Sequence, residues 1–256
     1  MTIRHLLLTL FLVTGAAHAE QRLLDEDGFK NPIQYLHFNP GLDQHEFERA
    51  TFKALDVYDP WEPVNRRIYH FNYRLDEWVL LPTVRGYERV TPRFVRSGVT
   101  NFFRNLGDVT NLTNSLLQLK VRRSMNTTAR LIFNTTFGVF GLWDPATLMG
   151  LPRQSEDFGQ TLGYWGLPSG PYVMLPIFGP SNLRDTAGIT SDFFAESQID
   201  FLNVATATGN HPEIILVRGI DTRYNTSLRY GQLNSPFEYE KIRYVYTKSR
   251  DLQIAE

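Results

Sequence analysis

Side chains able to do acid–base or metal chemistry are few and scattered. Beyond the first residues, histidine stands at His37, His45, His70 and His211, with no pair at a helical ligand spacing. The sequence contains no cysteine, which excludes disulfides, thiolate metal sites and a cysteine nucleophile. No Gly-x-Ser-x-Gly elbow, phosphate-binding loop or dinucleotide fingerprint occurs. One charged constellation remains. Glu156-Asp157 and Arg184-Asp185 bracket a long stretch that is almost free of charge. As a catalytic set they would be an acid/base pair. As a structural set they would clamp the two ends of that stretch, and the clamp is the reading preferred here. Lys120-Val121-Arg122-Arg123 forms a basic knot, either a solvated turn or a contact for lipid phosphates. Asn126-Thr127-Thr128 and Asn134-Thr135-Thr136 fit a glycosylation pattern but read as capping and surface groups.

The bracketed stretch, Glu156 to Asp185, is the most unusual part of the chain. Glycine recurs at Gly159, Gly163, Gly166, Gly170 and Gly179, and proline at Pro168, Pro171, Pro176 and Pro180. This spacing forbids a long helix or a regular central strand. Phe158, Tyr164, Trp165, Tyr172 and Phe178 set it apart from a flexible linker. It reads as a rigid irregular ribbon that flanking helices must support, because buried backbone amides need partners.

The elements around it read as helices. Asp59-Pro60-Trp61-Glu62 predicts an N-cap Asp59 with a capping-box Glu62. Val64, Ile68, Phe71, Leu75 and Trp78 then form one helix face, ended by Pro82. Asn65, Arg66 and Asn72 fall on the other faces, either solvated or hydrogen-bonded between helices. Thr91-Pro92 starts the next helix, striped by Phe94, Val95, Val99, Phe102, Phe103 and Leu106 and broken at Gly107, with Asp108 capping a third. Ser124 opens a helix carrying Ala129, Ile132, Phe133, Phe137 and Phe140 on one side, followed by a turn restarted at Asp144-Pro145. After the ribbon, Ser181 caps a helix with Leu183, Ala187 and Phe193 inward, and Glu213 to Leu233 is a longer one. Ser235-Pro236-Phe237-Glu238 starts a last helix that frays into a polar tail. Only Tyr172 to Leu175 alternates like a strand.

At the N-terminus, Arg4, an apolar run from Leu6 to Val13, and Ala17-His18-Ala19 predict a secretory signal peptide over residues 1–19, cut before Glu20. Residues 20–55 read as a mixed polar extension. Net charge is −1, so no strong field draws nucleic acid, and none is expected as a partner. The expected fold class is mostly α, one helical domain with an irregular Gly/Pro-rich ribbon and amphipathic helices. An exported, aromatic-rich helical body without a catalytic constellation favours binding or conducting something apolar over transforming it.

Four blocks resemble the MlaA (VacJ) family of outer-membrane lipid-transport proteins: Asp59 to Asn72, Gly98 to Gln118, Arg130 to Thr147, and Glu156 to Asp185. The last is the most specific. The resemblance implies a ring-like helical domain over 56–235, with 236–256 as C-terminal helix and tail, lying on the periplasmic side of the outer membrane. It implies an amphipathic channel that removes mislocalised phospholipid from the outer leaflet and passes it to a periplasmic lipid carrier, preserving lipid asymmetry. A trimeric porin is an implied associate, no cofactor or metal is implied, and no enzyme activity. Carried onto this sequence, the third block offers Phe133, Phe137, Phe140, Leu142 and Trp143 as candidates for the channel wall. Gly159, Gly163, Gly166, Gly170, Pro171, Pro176 and Gly179 would close the ring. The family is usually acylated on a cysteine after its leader, whereas here Gly15 is followed by Ala16. The expectation is attachment through amphipathic helices rather than a lipid anchor. Two other readings stay open, a periplasmic hydrolase using Glu156, Asp157 or Asp185, and a scaffold for another envelope protein.

Overall fold

The computed structural model describes residues 57–232 and 236–256. The expected leader, the extension and the Ser235 cap lie outside the described residues. Helices dominate. Helix α1 (Glu62–Leu75) runs through a π turn (Asp76–Leu80) into α2 (Leu81–Val90). Two longer helices follow, α3 (Arg93–Leu117) and α4 (Val121–Thr136), packed against each other as a hairpin. Short helices α5 (Pro145–Leu148) and α6 (Phe158–Tyr164) lead into an antiparallel pair, β1 (Tyr172–Leu175) and β2 (Gly179–Asn182), in which Tyr172 faces Asn182 and Leu175 faces Gly179. Then come α7 (Leu183–Ile199), a 3₁₀ turn (Phe201–Asn203), α8 (Val204–Asn210), α9 (Glu213–Asn225) and α10 (Glu238–Ala255).

Several boundaries differ from the sequence expectation, each for a local reason. Pro82 does not stop its helix. The π turn, closed by the Leu81 N–H on the Asp76 carbonyl, puts Pro82 in the first turn of α2, where its missing N–H is not needed. Gly107 does not break α3, and Asp108 is buried in mid-helix rather than capping. The Asp59 side chain caps nothing; α1 starts from Trp61 without a side-chain cap. Asp59 instead accepts from Asn65 at 2.8 Å, Tyr239 at 2.5 Å and Arg243 at 3.0 Å. Glu62 closes no capping box and pairs with Arg66 at 2.7 Å. Asn182, not Ser181, caps α7, accepting from the Asp185 N–H at 2.8 Å. The last helix does not fray; it continues to Ala255 and carries Tyr239 and Ile242 into the small apolar core with Tyr69, Tyr172 and Met174.

The larger difference concerns which side of each helix faces in. On α1 the buried residues are Asn65, Tyr69 and Asn72, while Val64 and Phe71 are exposed. Helix α3 buries Thr100, Asn105, Asp108, Asn111, Asn114 and Ser115 and exposes Phe94, Leu116 and Leu117; of its expected apolar stripe only Leu106 is buried, with Val99, Phe102 and Phe103 half-buried. Helix α4 buries Ser124, Thr127, Arg130 and Asn134 and exposes Val121, Met125 and Ile132. On α7 it is Arg184, Asp185 and Gly188 that turn inward, and Leu183 and Phe193, expected inside, are exposed. The periodicity identified real stripes, but the apolar ones point out. In water each such side chain forgoes about 1.5–3 kcal/mol of burial. An outward belt of this extent therefore belongs against an apolar medium. Among the described residues, no helix is long and apolar enough to cross a membrane.

The inward amides have specific work. Asn65 donates to the Tyr172 carbonyl at 3.1 Å and accepts from the Met174 N–H at 2.9 Å. One face further along, Asn72 donates to the Leu175 carbonyl at 2.9 Å and accepts from the Ile177 N–H at 2.8 Å. Two carboxamides thus do for β1 what a third strand would do. Asn65→Ala leaves a buried carbonyl and a buried N–H unpaired, and is expected to lower stability by about 2–4 kcal/mol. Arg67→Ala, on the exposed side of the same helix, is expected to change it by less than about 0.5 kcal/mol. Denaturation midpoints of both variants in the same detergent check this.

Candidate functional site

The third sequence block folds into a knuckle at the end of α4. Phe133 and Phe137 stack with ring centroids 5.8 Å apart. The chain then turns back on itself. The Phe140 N–H donates to the Thr135 carbonyl and the Gly141 N–H to the Asn134 carbonyl, both at 2.9 Å, and the Trp143 N–H to the Gly138 carbonyl at 2.9 Å. Gly138 has no room for a Cβ between the Asn134 and Trp143 carbonyls, and Gly141 packs on the Asn105 side chain of α3. Val139 and Phe140 take left-handed backbone, with φ of 50° and 56°. For such residues that conformation is costly. The result exposes Phe137, Phe140, Leu142 and Trp143 together, with Phe133 partly covered.

A buried charge network holds this knuckle on the body. Arg130, 1% exposed, donates to Asp108 at 3.2 Å, Asp144 at 3.0 Å, Thr147 Oγ1 at 3.0 Å and the Leu151 carbonyl at 2.6 Å. Asp108 also accepts from Arg153 at 3.0 Å and Asn111 at 2.9 Å. Burial alone would raise the Asp144 carboxyl, but its bonds from Thr147 and Arg130 hold it below its ordinary value. The Ala146 N–H donates to Asn134 Oδ1 at 3.1 Å. Asn134 and Thr127 are thus interior groups, not surface ones. Sequence reasoning missed Arg130. Its signal was a lone arginine in an apolar helical run, with acidic residues at 108 and 144 to receive it.

The ribbon ends form two further clusters. Glu156, fully buried, receives Gln118 at 2.9 Å, Lys120 at 3.3 Å and Arg123. The basic knot therefore supplies Lys120 and Arg123 to a buried carboxylate, leaving Arg122 exposed. The other cluster brings Asp157 and Asp185 together through Arg250 of α10. Arg250 holds Asp157 with two bonds of 2.7 Å and Asp185 with one of 2.8 Å. Tyr246 adds a bond to Asp185 at 2.7 Å. Burial would raise both carboxyls; the Arg250 guanidinium overrides it and holds them below the usual carboxylate range. Every one of these carboxylates is saturated by cations and hydroxyl or amide donors, a clamp geometry rather than that of a free general base.

Glycines let the clamp close. A Cβ on Gly159 would lie 2.6 Å from Asp185 Oδ1, and one on Gly163 would lie 2.6 Å from Ile254. Gly188 of α7 packs directly on the Gly159 backbone. Gly166, Gly170 and Gly179 supply left-handed turns with φ of 87°, 68° and 83°. The Pro171 carbonyl accepts from the Leu183 N–H at 3.1 Å, and the Pro176 carbonyl from the Phe178 N–H at 2.8 Å. Among the described residues no group of three or more His, Asp or Glu could hold a metal ion.

Comparison with known proteins adds an independent line. The model of the MlaA lipoprotein family matches residues 57–253, a span that includes most of α10. An uncharacterized protein of Rickettsia felis is 30% identical over 251 residues, covering 97% of this chain and 93% of that protein. The intermembrane phospholipid transport system lipoprotein MlaA of Escherichia coli K12 is 35% identical over 140 residues, covering 53% of this chain and 56% of that protein. A solved structure from work on the structural basis for maintenance of bacterial outer membrane lipid asymmetry matches with a TM-score of 0.65. It is 33% identical and covers 77% of this chain and all of that one.

The clamp has a pH signature. Carboxyls held below their unfolded values contribute stability that is present above about pH 4–5 and lost as pH falls through their folded values. Arg250→Met removes the cation that the two acids share. Arg184 remains 2.9 Å from Asp185, and Asp157 keeps its bonds from Gln160, so the acid-side loss of stability is expected to be shallower than in the parent. At pH 7 the variant is expected to be weaker than the parent by about 1–3 kcal/mol. Unfolding midpoints between pH 7 and pH 3 check both slopes.

Proposed function

The chain belongs to the MlaA family, and from that premise we propose that it transports phospholipid at the outer membrane. In this reading it removes mislocalised phospholipid from the outer leaflet and passes it to a periplasmic carrier. The observation that carries the reading is the inverted polarity of α1, α3, α4 and α7, polar groups inward and apolar side chains outward. Such a body is held in a bilayer by its outer apolar surface, while its inward polar side chains are paired with one another and hold the helices in place. All four tryptophans, Trp61, Trp78, Trp143 and Trp165, are exposed, which suits a membrane–water interface. The relatives named for intermembrane phospholipid transport and outer-membrane lipid asymmetry support the same function.

The knuckle residues Phe133, Phe137, Phe140, Leu142 and Trp143 are the proposed apolar wall of the lipid path. The ribbon from Gly159 to Gly179, tied to α1 and α10, is proposed to close the ring around it. The clamped carboxylates support a non-enzymatic role for Glu156, Asp157 and Asp185. Attachment is proposed to rest on the outward apolar faces, with a trimeric porin as a further associate.

Deletion of the gene is expected to raise phospholipid in the outer leaflet, read by an enzyme that acylates lipid A only when phospholipid is there. The intact gene restores the baseline. Phe137→Asp with Phe140→Asp should fail to restore it while the protein accumulates normally. Unchanged outer-leaflet phospholipid on deletion, in a strain without a second copy, overturns the reading.

A further inference from the structure

From the α3–α4 corner along α4 to Ile132, on the body side of the knuckle, runs an open cleft of about 490 Å³. Leu116, Leu119, Val121, Met125, Ala129 and Ile132 line it. Two hydroxyls also face this region, but each is bonded to its own helix. Ser124 donates to the Lys120 carbonyl at 3.0 Å and Thr128 to the Ser124 carbonyl at 2.8 Å. The cleft thus offers hydrocarbon with no hydroxyl proton free, in the size range of a ligand site.

Leu119 is the telling residue. It ends α3 in left-handed backbone, φ 59°, with the Lys120 N–H bonded to the Ser115 carbonyl and the Leu119 N–H to the Leu116 carbonyl. Such helix ends favour glycine, because a Cβ there is strained. Leucine is also 70% exposed, so the core does not need it. Among the described residues, Val139, Phe140 and Ile177 repeat the combination of left-handed backbone and exposed apolar side chain. Strain retained for an outward apolar side chain points to something apolar that it meets.

The rim of the corner suits a phosphate. Arg122 is exposed next to Val121, whereas Lys120 is held by Glu156 at 3.3 Å, and the Trp165 indole N–H bonds the Leu117 carbonyl at 3.1 Å. An apolar slot with an exposed cation and aromatic rings at one end matches the order of parts in a phospholipid.

We propose that this cleft is a holding site for one acyl chain of a phospholipid, with the phosphate at Arg122, separate from the knuckle. The proposal rests on the phospholipid-transport reading and adds a second contact point to it. The source of the chain is a captured lipid rather than the surrounding bilayer. Leu148, the most exposed leucine of the described residues at 89%, serves as the control for bilayer contact.

The test uses the full chain in nanodiscs containing a low fraction of phosphatidylethanolamine with a photoactivatable diazirine at the end of one acyl chain. Labelled residues are read by mass spectrometry. Leu119 is expected to be labelled well above Leu148. Equal labelling of the two leucines means bilayer contact only and overturns the proposal. Labelling confined to residues 137–143 also overturns it, while leaving lipid transport standing. Leu119→Gly relieves the strained turn, so its unfolding midpoint is expected to be unchanged or higher, while labelling of Met125 drops roughly three- to tenfold. Undiminished labelling of Met125 overturns the proposal. Met125→Trp, which fills the slot, is expected to abolish labelling of Ile132 and to leave labelling of Phe137 intact. Persistent labelling of Ile132 counts against the cleft whatever the stability of the first variant.

Discussion

A buried polar group that cannot reach water must find its partner inside the chain, and this requirement organises the molecule. Its helices turn asparagine, serine, threonine, aspartate and arginine inward, where an ordinary water-soluble helical domain would place leucine and phenylalanine. The main apolar cluster is small, around Tyr69, Tyr172, Met174, Tyr239 and Ile242, with Val84, Leu106 and Ala146 buried elsewhere. What holds the rest is directional. The Asn65 and Asn72 carboxamides complete a two-stranded sheet, Arg130 joins α4 to α3 and to the segment after the knuckle, and Arg250 joins both ends of the ribbon. Directional bonds of this kind specify one arrangement, because a shifted helix would leave charges and amides without partners.

The last helix draws the parts together. Tyr239, Arg243, Tyr246 and Arg250 recur at three- and four-residue steps, so they share one face. That face meets Asp59, Asp185 and Asp157, which come from three separate segments. Close approach is possible because Gly159, Gly163 and Gly188 remove the side chains that would stand in the way. The glycines of the ribbon therefore serve packing as much as turning. A polar interior of this kind leaves the apolar faces outside, and a lipid environment is the medium in which that arrangement is favourable.

Much of the outline was legible in the residues. The helical class, the irregular ribbon, the first of its two strands at Tyr172 to Leu175 and the restart at Asp144-Pro145 follow from turn chemistry and periodicity, which are local, whereas the pairing strand Gly179–Asn182, with Pro180 in it, has no such pattern. The clamp at the ribbon's ends was legible as a cluster of opposite charges. Arg250, which completes it, was not, because it lies 65 residues beyond Asp185 in the chain. The cap at Asp59 was misread for the same reason. Asp-Pro-x-Glu is a sound local signal, yet Tyr239 and Arg243, 180 and 184 residues away, compete for the carboxylate and win it.

By itself, the order of residues determined where the chain could be helical, where it had to turn, and which faces were apolar. It also carried the words that mark the family. Only the tertiary structure decided which of those faces points inward. A period of 3.6 residues describes two opposite stripes equally well, and the choice between them depends on what surrounds the helix. Here the neighbours are carboxamides and paired charges, so the polar stripe is enclosed and the apolar one faces outward.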